Sequence, residues 1–183
     1  MENEPINIHI EDDKDPDIEV KVLGTPLSDI EPIQRTRGIQ INSVEDLKKV
    51  VESPLLKCAQ ILYLKGIPTY ESSANKTHLQ WGMPIGIGVV VDKLSPENVN
   101  VVEELAKGNT SDRGYTVDFV DSAHYSPYQR IAYFHVPVRE DLTIEEIEQK
   151  SLDFVNHFES NETIKIEVPD ASGDDDVMKI DVD

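Results

Sequence analysis

Pro84-Ile85-Gly86-Ile87-Gly88-Val89-Val90-Val91 places five β-branched apolar residues and two glycines together with no charge among them. A run of this length and composition reads as a strand partly buried on both faces. On its N-terminal side, Ile67-Pro68-Thr69-Tyr70-Glu71 reads as a second strand, joined to the first by a polar loop. Further upstream, Ser43-Val44-Glu45-Asp46 is a helix start, with Val44, Leu47, Val50 and Val51 on one face. Ser53-Pro54 restarts the helix, with Ser at the cap and Pro in the first turn. Leu55, Cys58, Ala59, Leu62 and Tyr63 continue the stripe until Gly66 stops it.

On the C-terminal side, Ser95-Pro96-Glu97 repeats the helix start. Val99, Val102 and Leu105 face inward, and Gly108 closes the element. Tyr115 to Val120 and Ile131 to Val138 read as strands. Thr143-Ile144-Glu145-Glu146 is a capping box that opens a helix carrying Ile144, Ile147, Phe154, Val155 and Phe158. Ile164, Ile166 and Val168 read as a last short strand. The order α-β-β-α-β-β-α predicts an α+β two-layer sandwich, with about three helices on a mainly antiparallel sheet of four to five strands. The core domain spans 39–168. It is preceded by an acidic segment, 1–38, and followed by an acidic flexible tail, 169–183.

The chain has 183 residues, with 36 acids against 17 lysines and arginines and a net charge of −19. The acidity is concentrated at the ends. Residues 1–30 hold nine acids and two lysines, and residues 161–183 hold eight acids and two lysines. Such a charge opposes direct binding to nucleic acid or to an anionic membrane and favours a partner with a basic surface. Met1-Glu2-Asn3-Glu4-Pro5 has neither the basic start nor the apolar segment of a signal peptide, and no stretch is long and apolar enough to span a bilayer. A soluble, cytoplasmic protein is therefore expected.

Both ends contain alternating apolar positions. Ile6, Ile8 and Ile10, then Ile18, Val20 and Val22, flank an acidic turn and suggest a hairpin, followed by a connector at 24–38. Beyond the acidic linker Asp170–Asp176, Met178, Ile180 and Val182 have the period of a strand and are partner-binding candidates through addition to a sheet edge. Asp13, Asp15 and Asp17 imitate the start of a calcium loop, but Ile18 stands where the turn needs glycine.

Helix-strand-strand occurs twice, and Tyr70-Glu71-Ser72-Ser73 is echoed by Val120-Asp121-Ser122-Ala123. The loop from Glu71 to Gly82 carries the most varied chemistry. Glu71, Ser72, Ser73 and Asn75 offer acceptors and hydroxyls, Lys76 an ammonium, His78 an imidazole and Trp81 a stacking surface. The connection at 122–130 adds His124, Tyr125 and Arg130. If both lie at one end of the sheet, the histidines, serines and Glu71 converge into a ligand-binding or hydrolytic site. No Gly-x-Ser-x-Gly elbow supports hydrolysis. Gly86 and Gly88 lie within a strand with no dinucleotide fingerprint, so no cofactor is expected. His78, His124, His135 and His157 lack ligand spacing, and one cysteine, Cys58, makes neither a disulfide nor a zinc site. No metal is expected. Cys58 reads as a buried small hydrophobe. Asn-x-Ser/Thr triplets at Asn75, Asn109 and Asn161 read as accidental.

The leading expectation is a small acidic interaction or regulatory protein, non-catalytic, engaging a basic partner surface, with inhibition as one version. The alternative is a small-ligand-binding or hydrolytic domain built on loops 71–82 and 122–130.

Overall fold

The structure, a computed structural model, describes residues 24–34, 41–108, 111–121 and 129–161. The run that dominates the sequence forms an interior strand, β2 (Ile85–Val90), and all six of its residues are buried. Its neighbours are β1 (Thr69–Ser73) and β4 (Arg130–Val136), and β3 (Thr116–Asp121) pairs with the far side of β4. The described sheet has the order β1-β2-β4-β3 and is antiparallel throughout.

The two glycines of β2 have a steric reason. A β-carbon at Gly86 would lie 1.8 Å from the Phe134 carbonyl oxygen, and one at Gly88 would lie 2.8 Å from Ile131 Cγ2. The alternate residues Ile85, Ile87 and Val89 pair with Val136, Phe134 and Ala132, so all six share one face. That face joins one core with Leu55 and Leu62 of α1 (Ser53–Leu64), Val102 and Leu105 of α3 (Pro96–Lys107), and Ile147 and Phe154 of α4 (Ile144–Asn156). Rings tie the layers together: Tyr115 to Phe134 at 5.0 Å, Phe134 to Phe154 at 5.0 Å, and Phe154 to Phe158 at 5.1 Å. The α+β class and the antiparallel sheet agree with the sequence reading. No helix among the described residues is long and apolar enough to cross a membrane.

Several local readings are corrected. Val44–Lys49 is a 3-10 helix, not the first turns of an α-helix. The Asp46 carboxylate accepts from the Asn42 and Ser43 amides and the Ser43 hydroxyl, which closes a short turn around buried Leu47. Helix α1 begins at Ser53, with Glu52 in the cap position. Its end follows the expected glycine rule: Gly66 has φ +68°, its amide donates to Tyr63 O, and the Ile67 amide donates to Leu62 O. Thr143 Oγ1 caps α4 by accepting from the Glu146 amide, but the Glu146 carboxylate pairs with Arg139 and Lys150 instead of completing the box.

Residues 24–34 do more than connect. Leu27 is fully buried, its amide donates to Leu142 O, and the Ile144 and Lys76 amides donate to Thr25 O and Ile30 O. After α4, two buried asparagines hold the chain in place. Asn98 exchanges two 3.0 Å hydrogen bonds with the Glu159 backbone. Asn161 accepts from the Ser95 amide and donates to Lys93 O and Gly66 O. Asn75 and Asn161, which head two of the three glycosylation triplets, are both buried. The hairpin at 6–22, the strand at 164–168 and the tail positions Met178, Ile180 and Val182 lie outside the described residues.

Gly86→Ala is expected to cost at least about 3 kcal/mol in urea unfolding, because the clash is with backbone. Gly82→Ala should cost about 1 to 2, because Gly82 has φ +61° and open space around it. Cys58 is fully buried and its thiol is pushed up to about 12 by burial. A thiol reagent such as Ellman's should therefore leave Cys58 unlabelled in the native protein at pH 8 and label it fully in denaturant.

Candidate functional site

The region expected to be a loop is partly ordered into elements. Glu71, Ser72 and Ser73 belong to β1, and Lys76–Gln80 form the short helix α2. Between Thr69 and Ser72, β1 advances three residues while β2 advances two, so β1 carries an extra residue. This bulge moves the core-facing position from Glu71 to Ser72, which is buried, and leaves Glu71 exposed. The strand then turns at Asn75, whose side-chain oxygen accepts from the Thr77 and His78 amides and caps α2.

The Asn75 amide nitrogen faces the other way. It donates to Ser73 Oγ at 3.1 Å and to Glu52 Oε1 at 3.0 Å. Asn75 therefore spends all four of its hydrogen-bonding positions, two as donor and two as acceptor. Glu52, at the N-terminus of α1, is only 4% exposed, and its second carboxylate oxygen, Oε2, is buried without a partner. The α1 N-terminus offsets part of the cost of that charge through its unpaired amides.

These residues line a cleft of about 470 Å³. Glu52, Glu71, Ser72, Ser73 and His78 supply its polar side, and Pro32, Ile33 and Met83 its apolar side. Neither Lys nor Arg is among the described residues lining it. Lys76 stands beside the cleft, paired with Glu31. His78 Nδ1 lies 2.7 Å from the Pro84 carbonyl, an acceptor, so the ring proton sits on Nδ1 and Nε2 is the acceptor in the neutral ring. Trp81 is 74% exposed beside Met83. Of the sequence-predicted residues, the fold brings Glu71, Ser72, Ser73, Asn75 and His78 to one cleft.

Arg130 is not with them, and the expected convergence of the two connections is not met at the described strand ends. The register pairs Ile85, where the first connection ends, with Val136, and pairs Asp121, where the second begins, with Arg130. Val136 and Arg130 are opposite ends of β4, about 20 Å apart at the rise of an antiparallel strand. Antiparallel pairing of β2 with β4 imposes this separation, since two helix-strand-strand units meeting across that pair point their hairpin connections in opposite directions. Arg130 has its own setting: its amide donates to Asp92 Oδ2, its guanidinium lies 4.6 Å from the Phe119 ring centre, and Nε is buried without a partner. His124 and Tyr125 lie outside the described residues.

Sequence reasoning missed Glu52, the residue on which the site turns. An acid ahead of Ser-Pro looks like an ordinary helix start, and the only hint was its place between Val51 and the apolar stripe of α1. His135 also has partners: Nε2 lies 2.6 Å from Asp118 Oδ2 and 2.9 Å from Thr116 Oγ1 across the β3–β4 pair. Among the described residues, no group of three or more His, Cys, Asp or Glu side chains is placed to hold a metal. No protein-family model, curated protein or solved structure matches the chain.

Asn75→Ala removes the α2 cap and takes from Glu52 the donor on Oε1. It is expected to cost about 2 to 4 kcal/mol, about 1 from the cap and the remainder from the stranded carboxylate. In a Glu52→Gln background the same substitution should cost about 1 kcal/mol less, because a neutral amide is cheaper to strand than a charge. A four-variant urea-unfolding cycle measures that difference.

Proposed function

We infer that this chain is a non-catalytic interaction or regulatory protein that engages a basic surface on a partner. The observation that carries this reading is the cleft lined by Glu52 and Glu71, with neither Lys nor Arg among its described lining residues, on a chain of net charge −19. A basic partner gains from both features: long-range attraction speeds encounter, and acceptors in the cleft give the complex specific contacts. Two cleft side chains are also tied into the fold. His78 directs its Nδ1 proton to a backbone carbonyl, not to a carboxylate, and Ser73 Oγ accepts from Asn75. The acids concentrated near both ends add to the chain's negative charge.

The test uses immobilised full-length chain. Proteins bound at low salt and released at high salt are identified, purified and bound again. The expected partner is basic at the contact surface, and its affinity falls at least about tenfold between 50 and 300 mM salt. Replacing the acids of 174–176 with Asn should slow association more than it speeds dissociation. A purified partner with a neutral or acidic surface, or binding indifferent to salt, overturns the reading.

A further inference from the structure

We propose that the Glu52–Asn75 cleft seats the guanidinium group of an arginine side chain on the basic partner; this rests on the interaction reading above and specifies the chemical group recognised. The site is incomplete among the described residues. A buried carboxylate oxygen without a donor is costly, and buried polar atoms are otherwise nearly always paired. Among the described residues only two buried side-chain polar atoms lack a partner, Glu52 Oε2 and Arg130 Nε. They sit toward opposite ends of the sheet, so neither can satisfy the other.

Asn75 cannot supply the missing donor, since both its amide hydrogens and both its acceptor positions are engaged. No donor among the described residues reaches Oε2, and the cleft defines the chemistry of one that would. Its lining offers the Glu52 and Glu71 carboxylates and, in neutral His78, the Nε2 acceptor. A group made entirely of donors and bearing positive charge matches that set. The terminal torsion of a glutamate is broad, so a small rotation presents Oε2 to such a group.

Two features select guanidinium over ammonium or a metal ion. Pro32, Ile33 and Met83 give the cleft apolar walls, which suit a planar, weakly hydrated cation and the aliphatic stem behind it better than a strongly hydrated point charge. The acceptors come from separate elements, the start of α1, the end of β1 and α2, and a planar fork with several donors reaches more of them than a single ammonium does. The volume of about 470 Å³ holds an arginine side chain with accompanying water. Charged residues suited to a hydrated metal are too few, as no cluster of three exists among the described residues.

The experiment titrates the full-length chain with three short peptides that differ at one position: arginine, lysine, or citrulline, the neutral isostere of arginine. Binding is read from amide and side-chain NMR shifts and from the fluorescence of Trp81, the only tryptophan. The arginine peptide is expected to shift the Asn75 side-chain amide and His78, and to bind at least tenfold more tightly than the citrulline peptide and several-fold more tightly than the lysine peptide. Glu52→Gln should weaken the arginine peptide at least tenfold while leaving the melting temperature unchanged or raised, a pairing that a purely structural glutamate does not produce. Equal binding of arginine and citrulline, or of arginine and lysine, overturns the guanidinium assignment. If wild type and Glu52→Gln bind the arginine peptide alike, the cleft is not the seat, although the basic-partner reading stands. If no basic peptide binds in any form, both readings fall.

Discussion

The close approach of β2 to β4 at Gly86 is the constraint on which the rest of the molecule depends. With no side chain there, the Phe134 backbone comes to within 1.8 Å of where a β-carbon would be, and Phe134 takes its place against Tyr115 and Phe154. That aromatic contact aligns α4 over the sheet, and α4 in turn packs on α1. The position of α1 then decides where Glu52 lies. A steric property of one glycine therefore reaches, through three layers of contact, the acid that defines the cleft.

Buried asparagines perform the joining that apolar packing cannot. Asn98, Asn161 and Asn75 each fix a segment without regular hydrogen bonding of its own: the exit of α4, the gap between α1 and α3, and the turn from β1 into α2. A side-chain amide reproduces a peptide group, with donor and acceptor side by side, and so it satisfies irregular backbone inside a protein. Asn98 and Asn161 end on backbone groups, whereas Asn75 ends partly on a carboxylate.

The regular elements were legible in the sequence because each repeats its signal several times. The valines and isoleucines of β2, the Ser-Pro helix starts and Gly66 all stand where the reading placed them to within a residue or two, the ambiguity inherent in helix ends. Features resting on a single residue were not legible. Leu27 is one buried leucine in a segment with no period, and α2 is five residues announced only by Asn75. The bulge in β1 leaves no pattern, yet it decides that Ser72 and not Glu71 turns inward. The placement of the two connections depends on which strands pair, a long-range property that local composition does not encode. Antiparallel pairing of β2 with β4 is what sets the two connections at opposite ends of the sheet, whatever the likeness of the segments that lead into them.

The candidate site was legible in its residue types and not in its centre. Glu71, Ser72, Ser73, Asn75 and His78 stood out as unlike groups close together in the chain, while Glu52 reaches them only through the fold. Its burial also inverts the weight of the charge argument. Exposed negative charges are weak individually, since water and salt screen each of them. One carboxylate withdrawn from water and left with an unpaired oxygen interacts far more strongly with a donor that enters beside it, because the surroundings no longer compete. The acidic ends and the cleft would thus divide the work of recognition. On that reading, exposed acids would raise the rate of encounter with a basic surface, and Glu52, the buried acid among the described residues, would discriminate by the shape and hydrogen bonding of the group it receives. An amide at position 52 would keep the bond to Asn75 without burying a carboxylate, so under the arginine-seat proposal a cationic ligand would be what offsets the cost of keeping glutamate there.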